Sequence, residues 1–396
     1  MKKLINYLFL FLFTAISVNS FSQDTKAKKH SYFVYNPEVI ISKLPKDVDE
    51  TSALLFYKGS LWTLNDSGGK AEIYRLSTKS GKIIQTISLK GVKNVDFEDL
   101  TQDEDYIYVG DIGNNMGNRK NLVVYKIAKK DIPRKKDAEV KVKAIRYAYA
   151  DQINFKKRSR RNNYDCEALT SLGDQLYLFT KDWLDAKTRV YILPKKKGKY
   201  SLDVWKEFDA DGLVTAADFN LKKNELVLLG YQDFMPFLWT FSNFKGDDFF
   251  GGYAKRMNFE HIHGAQTEGL CFEPSGDLFI SCEDSYFPQR IFKVPQSELM
   301  DSVQLKPSFS ADNSLILKVK YDATEQMIHL KVQGLFEGDF RFELLNEIWR
   351  TENKMKMKAK DLSGETINVN AKKLKQGLYY LRVQQNDRVK VARVYI

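Results

Sequence analysis

Cysteine is scarce in this chain, with Cys166, Cys271 and Cys282 the only three among 396 residues. An odd handful supports no disulfide framework, and no metal-type cysteine spacing occurs. Cys271 and Cys282 fall on neighbouring expected strands, so one bridge and three half-buried thiols both stay open. Histidine is nearly as scarce, at four residues. His261 and His263 precede an acidic motif, and a metal role for the pair stands beside a purely structural one. The common catalytic signatures are missing: no Ser-His-Asp arrangement, no Gly-x-Ser-x-Gly elbow, no His-Glu-x-x-His and no P-loop. No long amphipathic helical pattern stands out. One apolar run occurs, at residues 8–16, behind Lys2 and Lys3 and ahead of the small residues Ser20 and Ser22. It is too short to span a bilayer comfortably and reads as a signal peptide over residues 1–22, cleaved before Gln23. No cysteine follows it closely, so a lipid anchor is not expected, and no transmembrane segment is expected after cleavage.

What is present favours an all-β chain. Hydrophobic residues make up 43% and aromatics 13%, enough for one large domain and a smaller one, with many strand-like runs. The net charge is +11. Lys and Arg are spread along the sequence, and the densest cluster, 156–161 (KKRSRR), falls in an expected loop. A solvated basic surface therefore outweighs nucleic-acid binding, and an anionic small molecule or glycan is the better partner for an exported protein.

The strongest signal is internal repetition. Five segments, starting at Glu50, Asp96, Asp165, Thr215 and Gln266, share one layout: an acidic or polar doublet, a short apolar strand, a turn, and a second apolar strand ending in polar residues. Leu54, Leu100, Leu169 and Phe219 each precede Leu61, Ile107, Leu176 and Leu226 by seven positions, and Leu270 precedes Leu278 by eight. A further strand is expected after each hairpin, at 72–76, 122–127, 189–193, 238–241 and 290–294. Three to four strands recurring about every 50 residues is the rhythm of a β-propeller. Five blades are visible and six are possible, because the interval from Glu98 to Glu167 spans 69 residues. The strand at residues 32–35 is expected to close the circle on the last blade. The propeller is placed at 32–306, and a Lys-rich tail, 312–396, reads as a small Ig-like β-sandwich.

Strand polarity places the polar motifs. The doublet precedes the innermost strand and a second polar group follows the next, antiparallel strand, so both sets meet at one mouth of the central channel. One set is Glu50, Asp96, Glu98, Asp165, Glu167 and Glu268. The other is Asn65, Asp66, Asp111, Asn114, Asn115, Asp182, Glu283 and Asp284. In the fourth blade Ala217 is expected at the Glu position. Crowded carboxylates need raised pKa values or a cation, and hard oxygen donors suit Ca²⁺ best. Structural capping between blades and cation binding both remain open. The loops carrying Asn65 and Asp66, and Asn114 and Asn115, either present backbone amides to an anion or make tight turns. Lys181 either meets a phosphate or pairs with an acid.

The stretches DFEDLT, YIYVGDIGNN, LVVYKI, RYAYAD, YDCEALT, LYLFTK, RVYIL, VTAADF and LVLLGY resemble a family of secreted bacterial propellers loosely grouped with phytase-like or esterase-like propellers. In propeller phytases, channel-mouth carboxylates hold Ca²⁺ for phosphomonoester hydrolysis. The resemblance implies Glu98, Asp99, Asp111, Glu167 and Glu268 as Ca²⁺ ligands and Lys181 or Arg119 as phosphate partners. The expectation is an exported propeller with a Ca²⁺-binding mouth and a ligand-binding role, with a Ca²⁺-dependent phosphoesterase as the alternative. In the tail, Ile367-Asn368-Val369, Leu374, the run GLYYLRV from Gly377 and the closing Lys390-Val391-Ala392-Arg393 resemble a C-terminal sorting domain of the type IX secretion system. That implies the type IX machinery as partner and a secreted or outer-surface location. An ordinary Ig-like accessory domain is the other reading of these residues.

Overall fold

The computed structural model describes residues 32–285, 287–300, 316–333, 339–346, 351–358, 366–385 and 388–396. The expected signal peptide and the expected boundary near 307–313 lie outside them.

Five sheets form the propeller, one per repeat. Their innermost strands are Leu55–Tyr57, Phe97–Gln102, Cys166–Leu172, Leu213–Asn220 and Thr267–Phe272, each hairpinned to the next strand of its own blade. The innermost strands neighbour one another in that order, and the fifth returns to the first.

Side-chain alternation explains why these strands read as unbroken apolar runs. In the blade-four strand Glu225–Gln232, Leu226 and Leu228 pack into one core while Val227 and Leu229 pack into another. In blade three, Leu176 and Leu178 face one core and Tyr177 and Phe179 the next. In blade two, Ile107 and Val109 face one way and Tyr108 the other. In blade one Leu61 and Trp62 face opposite ways, and Phe279 of blade five packs beside Leu61. Every blade is thus buried on both faces, and five inter-blade cores join five blades in a ring.

The long interval after Glu98 holds no sixth blade. It supplies Lys143–Tyr149, the fourth strand of blade two, and Asp137–Val140, which pairs in parallel with Ile83–Leu89 of blade one. Lys199–Leu202, which follows the third strand of blade three, likewise pairs in parallel with blade two. Ring closure differs from expectation. Tyr32–Val34 pairs in parallel with Tyr253–Asn258 at the outer edge of blade four. The strand that completes the last blade is Glu38–Ile41, antiparallel to Arg290–Val294. Pro37 and the intervening residues carry the chain from one blade to the next.

All three cysteines are buried and free. Cys271 and Cys282 sit on adjacent strands but belong to different cores, on opposite faces of blade five. Burial pushes the Cys282 thiol up to about 12.

The tail folds as two facing sheets. One holds Ile316–Asp322, Met327–Gln333 and Thr366–Asn370, the other Thr351–Lys358, Asp339–Asn346, Leu378–Gln385 and Arg388–Tyr395. Leu330, Phe342, Leu344, Ile367, Leu381 and Val383 fill the space between them. Val391 and Tyr380 of this sandwich pack on Tyr231 and Phe234 of blade four.

Candidate functional site

Four of the five innermost strands, those of blades two to five, carry an irregularity that decides what faces the axis. In blade two, Phe97 and Asp99 pair with the consecutive residues Asp111 and Gly110, which leaves Glu98 as the extra residue of a β-bulge. Glu167 is the extra residue in blade three, Thr215 in blade four and Glu268 in blade five. Bulges re-aim a side chain out of the pleat, and here they bring three glutamates together. The structure therefore moves the blade-four equivalence from Ala217 to Thr215. The hairpin of that blade is longer, so counting back from Phe219 lands two residues late. Thr215 donates its hydroxyl to the Thr267 carbonyl at 2.7 Å, and Ser52 of blade one donates to the Phe97 carbonyl at 3.2 Å. Both blades that lack the glutamate thus place a hydroxyl on the residue preceding the next blade's glutamate.

Two carboxylate triplets meet at Glu98. Ligand oxygens of Asp66, Asp96 and Glu98 lie within 4.8 Å of one another, and so do those of Glu98, Asp165 and Glu167. Glu98 is 2% exposed, and its Oε1 has no hydrogen-bond partner. Asp165 is held from both sides: the Asn114 backbone N–H donates to Oδ1 at 2.5 Å and the Trp183 indole N–H to Oδ2 at 2.7 Å. The bend at Gly113 closes over the cluster, where an added Cβ would lie 1.9 Å from Glu98 Oε1 and 2.6 Å from the Asp96 carboxyl.

Charge crowding raises these acids. Burial, then Asp96 and Glu268, lift Asp66 to about 8. Burial, then Asp165, lift Asp96 to about 7 against the pull of Arg119. Burial and the Glu167 charge push Glu98 well above the usual range, and Glu283 moves the same way through burial and Glu268. One ammonium answers them from inside. Lys181 Nζ lies 3.0 Å from Glu167 and 4.0 Å from Glu268, with its charge 5.0 Å from the Trp183 ring and 5.1 Å from the Tyr231 ring. Burial alone would lower this lysine, but Glu167, Tyr231 and Glu268 outweigh it and hold the proton on.

The structure distributes the expected residues unevenly. Glu98 and Glu167 sit in the carboxylate cluster, and Glu268 reaches it through Lys181. Asp66 joins the cluster, and its carboxylate accepts the Ser67 N–H. Asp111 pairs with Arg119 at 2.6 Å, and the same guanidinium donates to the Gly113 carbonyl at 2.6 Å. Asp99 faces elsewhere: its two oxygens accept the Leu100 and Leu169 backbone N–H groups, both at 2.7 Å, tying blade two to blade three. Asp218 repeats that contact between blades four and five through Phe219 and Phe272, each at 2.8 Å. Asn65 donates to the Asp47 carbonyl at 2.8 Å and Asn114 to the Tyr164 carbonyl at 3.1 Å. Asn115 accepts at its carbonyl from Asn162 and from the Arg160 N–H. Among the pair of histidines, His263 is buried against the Asp233 carbonyl at 2.9 Å, and His261 is exposed.

Asp96, Asp165, Glu283, Trp183 and Tyr231 belong to the site as fully as the residues named from the resemblance. The Asp-x-Glu doublets of blades two and three already pointed to Asp96 and Asp165. Trp183 and Tyr231 carried no sequence signal, since aromatic residues fill every blade.

No family model matches the chain, and no curated protein matches it. Solved structures do resemble it. The PQQ-bound aldose sugar dehydrogenase of Streptomyces coelicolor is 10% identical, with 65% of this chain and 96% of that one covered and a TM-score of 0.40. An exo-β-1,3-galactanase from Phanerochaete chrysosporium is 8% identical, covering 91% and 94%, with a TM-score of 0.42. PorZ, a surface component of the type IX secretion system of Porphyromonas gingivalis, is 8% identical, covering 88% and 59%, with a TM-score of 0.31. At these identities and scores no activity passes from any of them to this chain.

Proposed function

We propose that this chain is an exported β-propeller whose mouth binds Ca²⁺ and uses it to organise a ligand-binding surface, with the tail serving as a type IX sorting domain. The observation that carries the cation is Glu98 Oε1, a buried acceptor without a partner at the junction of two carboxylate triplets. An unpaired buried carboxylate is costly, and a cation is the partner that satisfies it. Ca²⁺ binds oxygens at about 2.3–2.6 Å, so its ligands lie up to about 5 Å apart, and the 4.8 Å limit of each triplet fits that sphere. The donor set is entirely oxygen, which excludes preference for a soft metal. A Ca²⁺-dependent phosphoesterase remains the second reading. It has less support, because the two phosphate partners that the resemblance implied are already engaged, Arg119 by Asp111 and Lys181 by Glu167.

The test uses protons as competitors. Asp66 rises from 3.8 to about 8 and Asp96 from 3.8 to about 7. An acid whose folded pKa is raised binds its proton better when folded. Its stabilising effect is complete below the ordinary value and is lost as pH climbs through the folded one. The metal-free chain therefore loses stability between about pH 4 and 8, and Ca²⁺ restores it. Thermal unfolding of the chain from Gln23 onward, in Ca²⁺ and in EDTA, is expected to show a Tm increase that is larger at pH 8 than at pH 5. Glu98→Gln is expected to remove most of that increase. Equal Tm values in Ca²⁺ and EDTA at pH 8 would sink the cation reading.

A further inference from the structure

Beside the acidic centre, the mouth carries a second feature of opposite charge. A cleft of about 400 Å³ opens between the loops of blades two and three, lined by Lys156, Arg158 and Arg161 among others. Among the described residues none of these three side chains has an ion-pair or hydrogen-bond partner, whereas Arg189 in the same wall is already engaged by Asp182, Asp185 and Glu207. Three uncommitted cations in one concavity form a place for an oxyanion.

The frame under them is rigid. The Arg158 N–H donates to the Met116 carbonyl and the Arg160 N–H to the Asn115 carbonyl, both at 2.9 Å. Buried Asn162 donates to the Asn115 carbonyl at 3.1 Å, and Gln152 to the Gly117 carbonyl at 3.0 Å. Gly117 is needed at that contact: its φ is +63°, and a Cβ there would lie 2.9 Å from the Asn162 side chain. A preorganised loop loses little entropy when a ligand arrives.

The walls are not only charged. Ile153 is 91% exposed and Leu184 65% exposed, and both line the cleft together with Tyr164. Large apolar side chains left in water beside free cations match a ligand with an apolar face and an anionic group. We propose that this cleft binds a small oxyanion carried on a ring-sized body, a sugar phosphate or a sugar carboxylate, independently of the cation at the centre of the mouth. The site takes the phosphate or carboxylate on Arg158 and Arg161, with Lys156 adding charge, and lays the ring against Tyr164, Ile153 and Leu184.

Isothermal titration calorimetry of the chain from Gln23 onward, in EDTA, tests this with glucose 6-phosphate, glucuronate, inorganic phosphate and neutral glucose. Saturable binding of glucose 6-phosphate or glucuronate is expected, and the stronger of the two identifies the oxyanion. Glucose is expected to give no heat, and inorganic phosphate to bind at least tenfold more weakly than the better organic anion. The double variant Arg158→Gln/Arg161→Gln, at exposed positions that leave the blades intact, is expected to weaken that binding at least tenfold. No saturable binding of either organic anion, or an unchanged affinity in the double variant, overturns the proposal. Phosphate binding as tightly as glucose 6-phosphate overturns the apolar wall. Because the titration is run without Ca²⁺, its failure and the failure of the cation site are read separately.

Discussion

Lys181 is the residue on which the electrostatics of the mouth turn. Its single charge sits between Glu167 and Glu268, buried at 4% exposure among rings that also attract it. Removing one partner of a buried pair typically costs about 3–5 kcal/mol, because the remaining charge is stranded. Lys181→Met keeps the length of the side chain and deletes the charge. In EDTA its Tm is expected to fall sharply, with a stability loss of about 3–5 kcal/mol. In Ca²⁺ much of that loss is expected to return, since a divalent ion can neutralise the same carboxylates. Differential scanning calorimetry in the two buffers measures both. A Tm shift equal in Ca²⁺ and EDTA would show that Lys181 acts apart from the cation. The neighbouring residues Glu98 and Asp99 show how far a motif alone can be read. Both are buried acids adjacent in sequence, yet the bulge sends Glu98 to the axis and leaves Asp99 on backbone amides of its own blade and the next.

At the scale of elements, hairpin spacing was legible because it is a sequence property: an apolar residue and its partner across a tight turn keep a fixed separation. Bulges were not legible, because an extra residue leaves no mark in composition. The fixed separation also misled once: blade four has a longer hairpin, so Thr215, not Ala217, stands where the other blades place glutamate. The loop from Gly110 to Asn115 shows the same limit. Its glycines suggested either tight turns or anion-binding amides, and the structure gives Gly113 another task, making room for Glu98 and Asp96. Gly113→Ala places a methyl group where Glu98 Oε1 now lies, at 1.9 Å from the ideal Cβ position. The variant is expected to fold with a Tm lowered by a ΔΔG of about 1–3 kcal/mol, the range for overpacking. It is also expected to lose at least tenfold in Ca²⁺ affinity by calorimetric titration, through displacement of the shared carboxylate. Wild-type affinity in Gly113→Ala would detach Glu98 from the cation.

At the scale of the whole molecule, five repeats announced five blades, but the closure of the ring depended on a segment without a repeat signature. Glu38–Ile41 completes blade five from the opposite end of the propeller sequence. Ile41, Leu44 and Val48 are buried beneath it, and Gln289 donates to the Leu44 carbonyl at 3.2 Å. The pattern 32–35 drew attention to the N-terminal edge, and the strand there joins blade four instead. Closure across so long a chain costs loop entropy that grows only slowly with length, so the ring is secured mainly by what this strand buries. Three large aliphatic side chains contribute about 1.5–3 kcal/mol each when fully buried. A chain beginning at Asp49 loses all three and exposes the edge of Arg290–Val294. It is expected to melt well below the chain beginning at Gln23, and to run as dimers or larger species on size exclusion through that open edge. A chain beginning at Asn36 keeps Glu38–Ile41 and loses only the strand on blade four, so its Tm is expected to stay near that of the longer chain. If instead the Asn36 start destabilises as much as the Asp49 start, the blade-four strand, not the blade-five strand, holds the ring closed.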